Sequence, residues 1–189
     1  VALITGAASG MGEAQARFFS SEGAAVCVAD INELGGKQVA SEIIEAGGEA
    51  SYATLDVTNP SQWTETVAGI EAKFGSLTLL CNNVGSNFRV GFDDQTESMW
   101  HTIMDTNLTG AFLGIQAVVP AMRRAGGGTI INMGSLASTR PGGSSPAYEA
   151  SKTGMVGLTL STAKSYAPDR IRCNMVSPGH VDTPFIRQN

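Results

Sequence analysis

The chain has 189 residues, of which 42% are hydrophobic and 15% charged. That mix excludes a disordered protein and suffices for one well-buried core. Its formal net charge of −5 argues against nucleic acid or an anionic membrane as the partner, since both select a basic face. No apolar run approaches the roughly 20 residues that a spanning helix needs. Val1 is not followed by a basic region and an apolar stretch, so no signal peptide is read.

Cys27, Cys81 and Cys173 each fall in or beside an apolar run with no Cys-x-x-Cys pair. They read as reduced, buried residues of a cytoplasmic protein; a metal site built from them is not expected. The chain opens inside a strand at Val1, with no Met, and closes at Asn189 just past a loop. Further residues are therefore expected at one or both ends.

Val1–Thr5 reads as a strand. Met11–Glu22 then has helical spacing, with Ala14, Phe18 and Phe19 on one side. Ala25–Ala29 is a second strand ending at Asp30. Glu33–Ala46 is an amphipathic helix stopped by Gly47-Gly48. Ala50–Leu55 is a strand, and Pro60–Phe74 a helix with Pro near its start and Gly75 past its end. Leu77–Cys81 is a strand leading into Asn82-Asn83. Residues 97 to 124 form a long helix that Pro120 should disturb. Thr129–Met133 is a strand, Ser145–Tyr166 a helix and Ile171–Val176 the last strand. Short apolar strands alternating with helices predict a doubly wound, three-layer α/β domain on a parallel sheet, a Rossmann arrangement, with no linker dividing the chain.

Thr5-Gly6-Ala7-Ala8-Ser9-Gly10-Met11-Gly12 lies between the first strand and the first helix. Glycines here permit a tight turn and close approach to a pyrophosphate, and the helix start offers free N–H donors. Asp30, 18 positions beyond Gly12, can accept from the adenosine ribose hydroxyls and would repel a 2′-phosphate. Neither Ser9 nor Ile31 is a Lys or Arg that would meet such a phosphate, so NAD is expected over NADP. The plainer reading, an exposed Asp opening a turn, is the weaker one beside that loop. Asp56 could bond the adenine amino group while Val57 packs on the ring, or the pair could simply form a strand-end turn; both readings stay open.

Tyr148 and Lys152, four apart on one helix, share a face. A free tyrosine titrates near about 10, and a neighbouring cation stabilises its phenolate. Ser135 lies just past the fifth strand, where parallel sheets place ligands and a hydroxyl could orient a substrate oxygen. Ser138 is the second choice for that role. Asn107 sits within the long helix, where Asn has poor propensity.

Together these residues resemble the short-chain dehydrogenase/reductase family in its single-domain branch, over nearly the whole chain. The shared features are the Thr-Gly-x-x-x-Gly-x-Gly loop, Asn82-Asn83-Val84-Gly85, Asn107, Ser135, Tyr148-x-x-x-Lys152 and Pro178-Gly179, in that order. The resemblance implies a seven-stranded sheet, six strands of which are visible, and a substrate-covering C-terminal segment absent from residues 1–189. It implies a hydride-transfer oxidoreductase with Tyr148 as general acid/base. Lys152 would hold the nicotinamide ribose and Ser135 the substrate. Asn107 would mark a helix distortion whose backbone binds a proton-relaying water. Asn83, Val84 and Gly85 would support the cofactor; Pro178, Gly179, Val181 and Thr183 would face its carboxamide. It also implies dimers or tetramers built on the two long helices.

Three functions follow. The first is an NAD-dependent dehydrogenase of secondary alcohols or ketones. The second is a non-catalytic NAD-binding sensor or scaffold, which need not keep the Ser–Tyr–Lys set. The third is an epimerase or dehydratase using NAD transiently. His180 is a rival acid/base, though a loop His beside the cofactor is the simpler reading.

Overall fold

The computed structural model describes residues 1–187. Its first strand, β1 (Ala2–Thr5), is buried at all four positions, which is why it reads as an unbroken apolar run. β2 (Val26–Asp30), β3 (Ala50–Thr54), β4 (Leu79–Asn82), β5 (Gly128–Met133) and β6 (Ile171–Val176) join it. All pair in parallel, in the order β3-β2-β1-β4-β5-β6. The chain winds outward from β1 to β3, then returns to lay β4 beside β1. That reversal opens a crevice at the carboxyl ends of β1 and β4, the place where such sheets bind ligands.

Helices α1 (Gly10–Ser21), α2 (Glu33–Glu45), α3 (Pro60–Phe74), α4 (Glu97–Met104), α5 (Gly110–Arg124), α6 (Pro146–Tyr166) and the short α7 (Pro184–Arg187) complete the described chain. Two apolar clusters fill the sheet's two faces. One joins Trp63, Ile115, Val118 and Met122 of α3 and α5 to the strands, with Leu158 of α6 against it. The other joins Ala16, Val39 and Ile43 of α1 and α2 to the opposite side.

Two expectations change. Ala14 is exposed and Phe18 is 61% exposed; α1 instead buries Gly12 and Ala16. Small residues let this helix approach the Gly-rich loop, so its buried stripe is not its most hydrophobic one. Pro120 does not break its helix, for α5 runs through it to Arg124. Val118, Val119, Ala121 and Met122 are all buried there, and their packing overrides the lost hydrogen bond.

The expected long helix is interrupted elsewhere. Asp105–Thr109 forms a π-helical turn, closed by Gly110 N–H donating to the Asp105 carbonyl. Asn107 lies inside this turn and is 1% exposed. A polar chain also runs beneath the crevice. Asn82 Nδ2 donates to Asn132 Oδ1 at 2.9 Å, and Asn132 Nδ2 donates to Thr159 Oγ1 at 2.9 Å, tying β4, β5 and α6 together.

Candidate active site

Gly6 and Gly10 adopt φ of 62° and 58°, a region open to glycine at little steric cost. Gly12 is required for a different reason: a Cβ there would lie 2.2 Å from the Gly6 carbonyl oxygen. Ser9 caps α1 without a side-chain hydrogen bond, so its own hydroxyl does not cover the helix's free N–H donors. Asp30 faces this loop. Its carboxylate accepts from Ala8 N–H at 2.9 Å and from Asn32 N–H at 2.9 Å. Thr5 Oγ1 donates to the Cys81 carbonyl and accepts from Asn83 N–H, pinning the loop's base to β4.

A cleft of about 550 Å³ opens along the carboxyl edge. Of the expected residues it is lined by Gly6, Ser9, Gly10, Met11, Asp30, Asn83, Val84, Gly85, Tyr148, Lys152 and Thr183. Asn32, Met133, Gly134, Pro184 and Phe185 also line it and were not foreseen. Asn32 lies two positions past Asp30 and caps α2, a signal that could have flagged it. The Met133 backbone carbonyl bonds the Lys152 ammonium, a role that no side chain signals.

Ile31, Asp56 and Val57 do not line this cleft. They meet in a neighbouring one of about 410 Å³ that shares Val84 and includes Thr102, Asp105 and Thr106 from α4 and the π-helical turn. Asp56 Oδ1 already accepts from Thr58 N–H and its hydroxyl. Gly12, Asn107, Ser135, Pro178, Gly179 and Val181 are likewise absent from the lining of the first cleft. Gly12 packs beneath Gly6, and the Pro178 carbonyl accepts from Leu136 N–H. Gly179, His180 and Val181 are exposed.

Helix α6 carries Tyr148 and Lys152 to the cleft. Lys152 is 4% exposed, and its Nζ donates to the Met133 carbonyl at 2.7 Å. With no carboxylate bonded to it, burial pulls its ammonium down from 10.5 to about 8. The same nitrogen lies 5.7 Å from the centre of the Tyr148 ring. The Phe185 ring packs beside that of Tyr148, with 6.4 Å between centres.

Ser135 begins a single 3-10 turn, Leu136–Ser138. Its Oγ accepts from Ala137 N–H at 3.1 Å, which leaves its own proton available to donate. Ser138 is buried and its Oγ accepts from Ser135 N–H. It therefore shapes the turn that presents Ser135. Asn107 Oδ1 accepts from Ser86 N–H at 2.7 Å, while its Nδ2 donates to the Ser86 carbonyl at 3.0 Å and to Ser151 Oγ at 3.1 Å.

The topological reversal, the glycine turn under an uncovered helix start and the Tyr–Lys pair in one cleft define a dinucleotide-binding α/β oxidoreductase. The short chain dehydrogenase family model matches residues 1–189, and the chain belongs to the short-chain dehydrogenase/reductase family. It is 44% identical over 185 residues to 3-alpha-(or 20-beta)-hydroxysteroid dehydrogenase of Mycobacterium tuberculosis (strain ATCC 25618 / H37Rv), covering 98% of this chain and 70% of that protein. It is 39% identical to 2,5-dichloro-2,5-cyclohexadiene-1,4-diol dehydrogenase LinX of Sphingobium indicum, covering 98% and 74%. A short-chain type dehydrogenase/reductase from Mycobacterium marinum superposes with a TM-score of 0.95 at 35% identity, covering 99% of this chain and 75% of that one. The protein is thus a dehydrogenase that acts on CH–OH groups with a nicotinamide cofactor. The sensor reading gains nothing from these relatives.

Proposed function

We propose that residues 1–189 form one catalytic domain that oxidises a cyclic secondary alcohol, or reduces the matching ketone, with NAD(H). The observation that carries this reading is the placement of Tyr148 and the buried Lys152 ammonium in the same cleft as the glycine loop.

The cleft fits the cofactor on its own features. The α1 start is uncovered by Ser9, the glycine loop is open at Gly6 and Gly10, and Thr183 packs within 3.4 Å of where a Gly10 Cβ would stand. Gly6, Ser9, Gly10 and Met11 would hold the pyrophosphate, with Gly12 setting the closeness of α1. Asp30 would take the adenosine ribose hydroxyls, which favours NAD over NADP. Ile31, Asp56 and Val57 would flank the adenine. Asn83, Val84, Gly85, Lys152, Pro178, Gly179, Val181 and Thr183 would serve the nicotinamide half. When bound, the nicotinamide supplies or accepts the hydride.

Tyr148 takes the hydroxyl proton in oxidation and returns it in reduction. The Lys152 ammonium favours the phenolate electrostatically. Ser135, with its proton free, donates to the substrate oxygen and orients it. Asn107 holds the loop at Ser86, and its backbone in the π-helical turn is the expected seat of a relay water.

Two named relatives act on ring alcohols, a steroid and a cyclohexadiene diol, which supports an alicyclic substrate. A groove of about 460 Å³ lined by Leu108, Phe112, Gly154 and Leu158 lies between the helices flanking it. Phe112 is 43% and Leu160 59% exposed on the same helices, which supports dimers or tetramers through α5 and α6. The three free, buried cysteines suit a cytoplasmic setting.

The test is NADH absorbance at 340 nm (a property of the cofactor) with cyclohexanol, cyclopentanol and a hydroxysteroid. Turnover of at least one is expected. Tyr148→Phe should keep NADH binding and lose nearly all turnover. Full turnover in that variant would overturn the assigned chemistry.

A further inference from the structure

The reaction places two side chains of α6 in the cleft, yet both are mounted on a helix that must itself be held at one height and rotation. Between them in sequence stands Ser151, which is 0% exposed. Its hydroxyl donates to the Tyr148 carbonyl at 2.7 Å and accepts from Asn107 Nδ2 at 3.1 Å. Helix-interior serines commonly back-bond to a carbonyl one turn earlier. The second bond, to another element, is the unusual part. The Asn107 amide grips the Ser86 backbone with its remaining donor and acceptor. A continuous chain of hydrogen bonds therefore runs from the loop after β4, through the π-helical turn, to the backbone of Tyr148. A Cβ on Gly85, next to Ser86, would lie 3.6 Å from both Asn107 Oδ1 and Lys152 Nζ, so the loop so held also walls the lysine.

We propose that Ser151 is a positioning residue for this reaction: its hydroxyl locks the first turns of α6 to Asn107 and thereby sets where Tyr148 and Lys152 stand in the cleft. Ser151 touches neither substrate nor cofactor. It acts by satisfying the last free N–H of a buried amide and by fixing the one carbonyl that belongs to the proton carrier's own residue. Without it, Asn107 loses its hold on α6, and its grip on the Ser86 backbone loosens as the amide is freed to turn. Misplacement of reacting groups by about 1 Å costs about 100-fold in rate, so even a small shift is visible in turnover.

The inference rests on the dehydrogenase reading above, and one set of variants separates the two. Ser151→Ala, Asn107→Ala and the double variant are compared for kcat, KM, NADH affinity and amide hydrogen exchange. Turnover of at least one of cyclohexanol, cyclopentanol and a hydroxysteroid by the unmodified protein tests the reading itself. Given that turnover, Ser151→Ala is expected to lower kcat by about tenfold or more, with NADH affinity and KM within about twofold. It should cost nothing further in the Asn107→Ala background. Exchange at Gly85 and Ser86, which Ser151 does not touch, should speed up whether or not a substrate is found. Unchanged kcat, equal losses in both backgrounds or unchanged exchange at those amides would overturn the proposal. If Ser151→Ala does not fold, Ser151→Cys, with its weaker donor and acceptor, should show a partial loss of kcat, and unmodified turnover in it counts against the idea.

Discussion

The Lys152 ammonium is bonded to a backbone carbonyl, that of Met133 at 2.7 Å, rather than to a carboxylate. Its charge is therefore uncancelled within the site and remains available to the Tyr148 phenol. The same arrangement makes the charge costly to bury, which is why its titration falls from 10.5 to about 8.

Lys152→Met should abolish most turnover and also change how stability depends on pH. Below about pH 8 folded and unfolded chains both carry the proton, and the burial penalty is complete. Between about pH 8 and 10.5 the unfolded chain binds more protons, so this group's contribution rises with pH. The full change is about 3 kcal/mol. Urea midpoints of the unmodified protein and Lys152→Met, compared at pH 7 and pH 10, should shift relative to each other in favour of the unmodified protein at the higher pH. A constant difference would contradict this.

Asp30→Ala should weaken NADH binding by about tenfold or more, given the strength of bonds to a charged acceptor. The Ala8 and Asn32 N–H groups also lose their acceptor, so the loop itself loosens. The preference for NADH over NADPH should narrow, as read by fluorescence titration with both. An unchanged ratio would remove Asp30 from the discrimination.

Gly12→Ala should be severe. Its Cβ would fall 2.2 Å from the Gly6 carbonyl oxygen and 2.7 Å from Asn83 Nδ2, so α1 or the loop must shift. Overpacking of this kind costs about 1–3 kcal/mol. Thermal unfolding should show the loss, with cofactor binding falling alongside it. Gly143→Ala is the contrast: φ there is 77° with nothing near its Cβ, so cofactor binding should hold.

Asn132→Ala should destabilise by about 1–3 kcal/mol, because Asn82 Nδ2 would keep only its long bond to the Ala111 carbonyl and Thr159 Oγ1 only its bond to the Met155 carbonyl. Asn132→Ala with Thr159→Val should lose less than the two single losses added, and urea unfolding of the four proteins checks that coupling.

Much of the site was legible from the chain because its chemistry is local. The glycine loop, Asp30 at a strand end and the four-residue step from Tyr148 to Lys152 each follow from backbone geometry over a few residues. The strands were legible because burial on both faces leaves unbroken apolar runs. The stripe read for α1 held only at Phe19, which packs against the core. Ala14 and Phe18 looked like its core face, but the sheet and loop demanded the small residues Gly12 and Ala16.

What the sequence by itself determined is the parallel α/β order, the glycine turn proposed to receive a pyrophosphate and the Tyr–Lys pair proposed to carry a proton. Only the tertiary structure decided that most of the expected cofactor residues divide between two clefts meeting at Val84, with Gly12, Pro178, Gly179 and Val181 lining neither. It alone decided that Met133 supplies the lysine's acceptor, that Ser138 builds the turn under Ser135, and that Asn107 reaches Ser151. Each of these joins segments far apart in the chain, several through backbone atoms common to every residue. Such contacts exist only once the sheet has set the distance and register between the elements that make them.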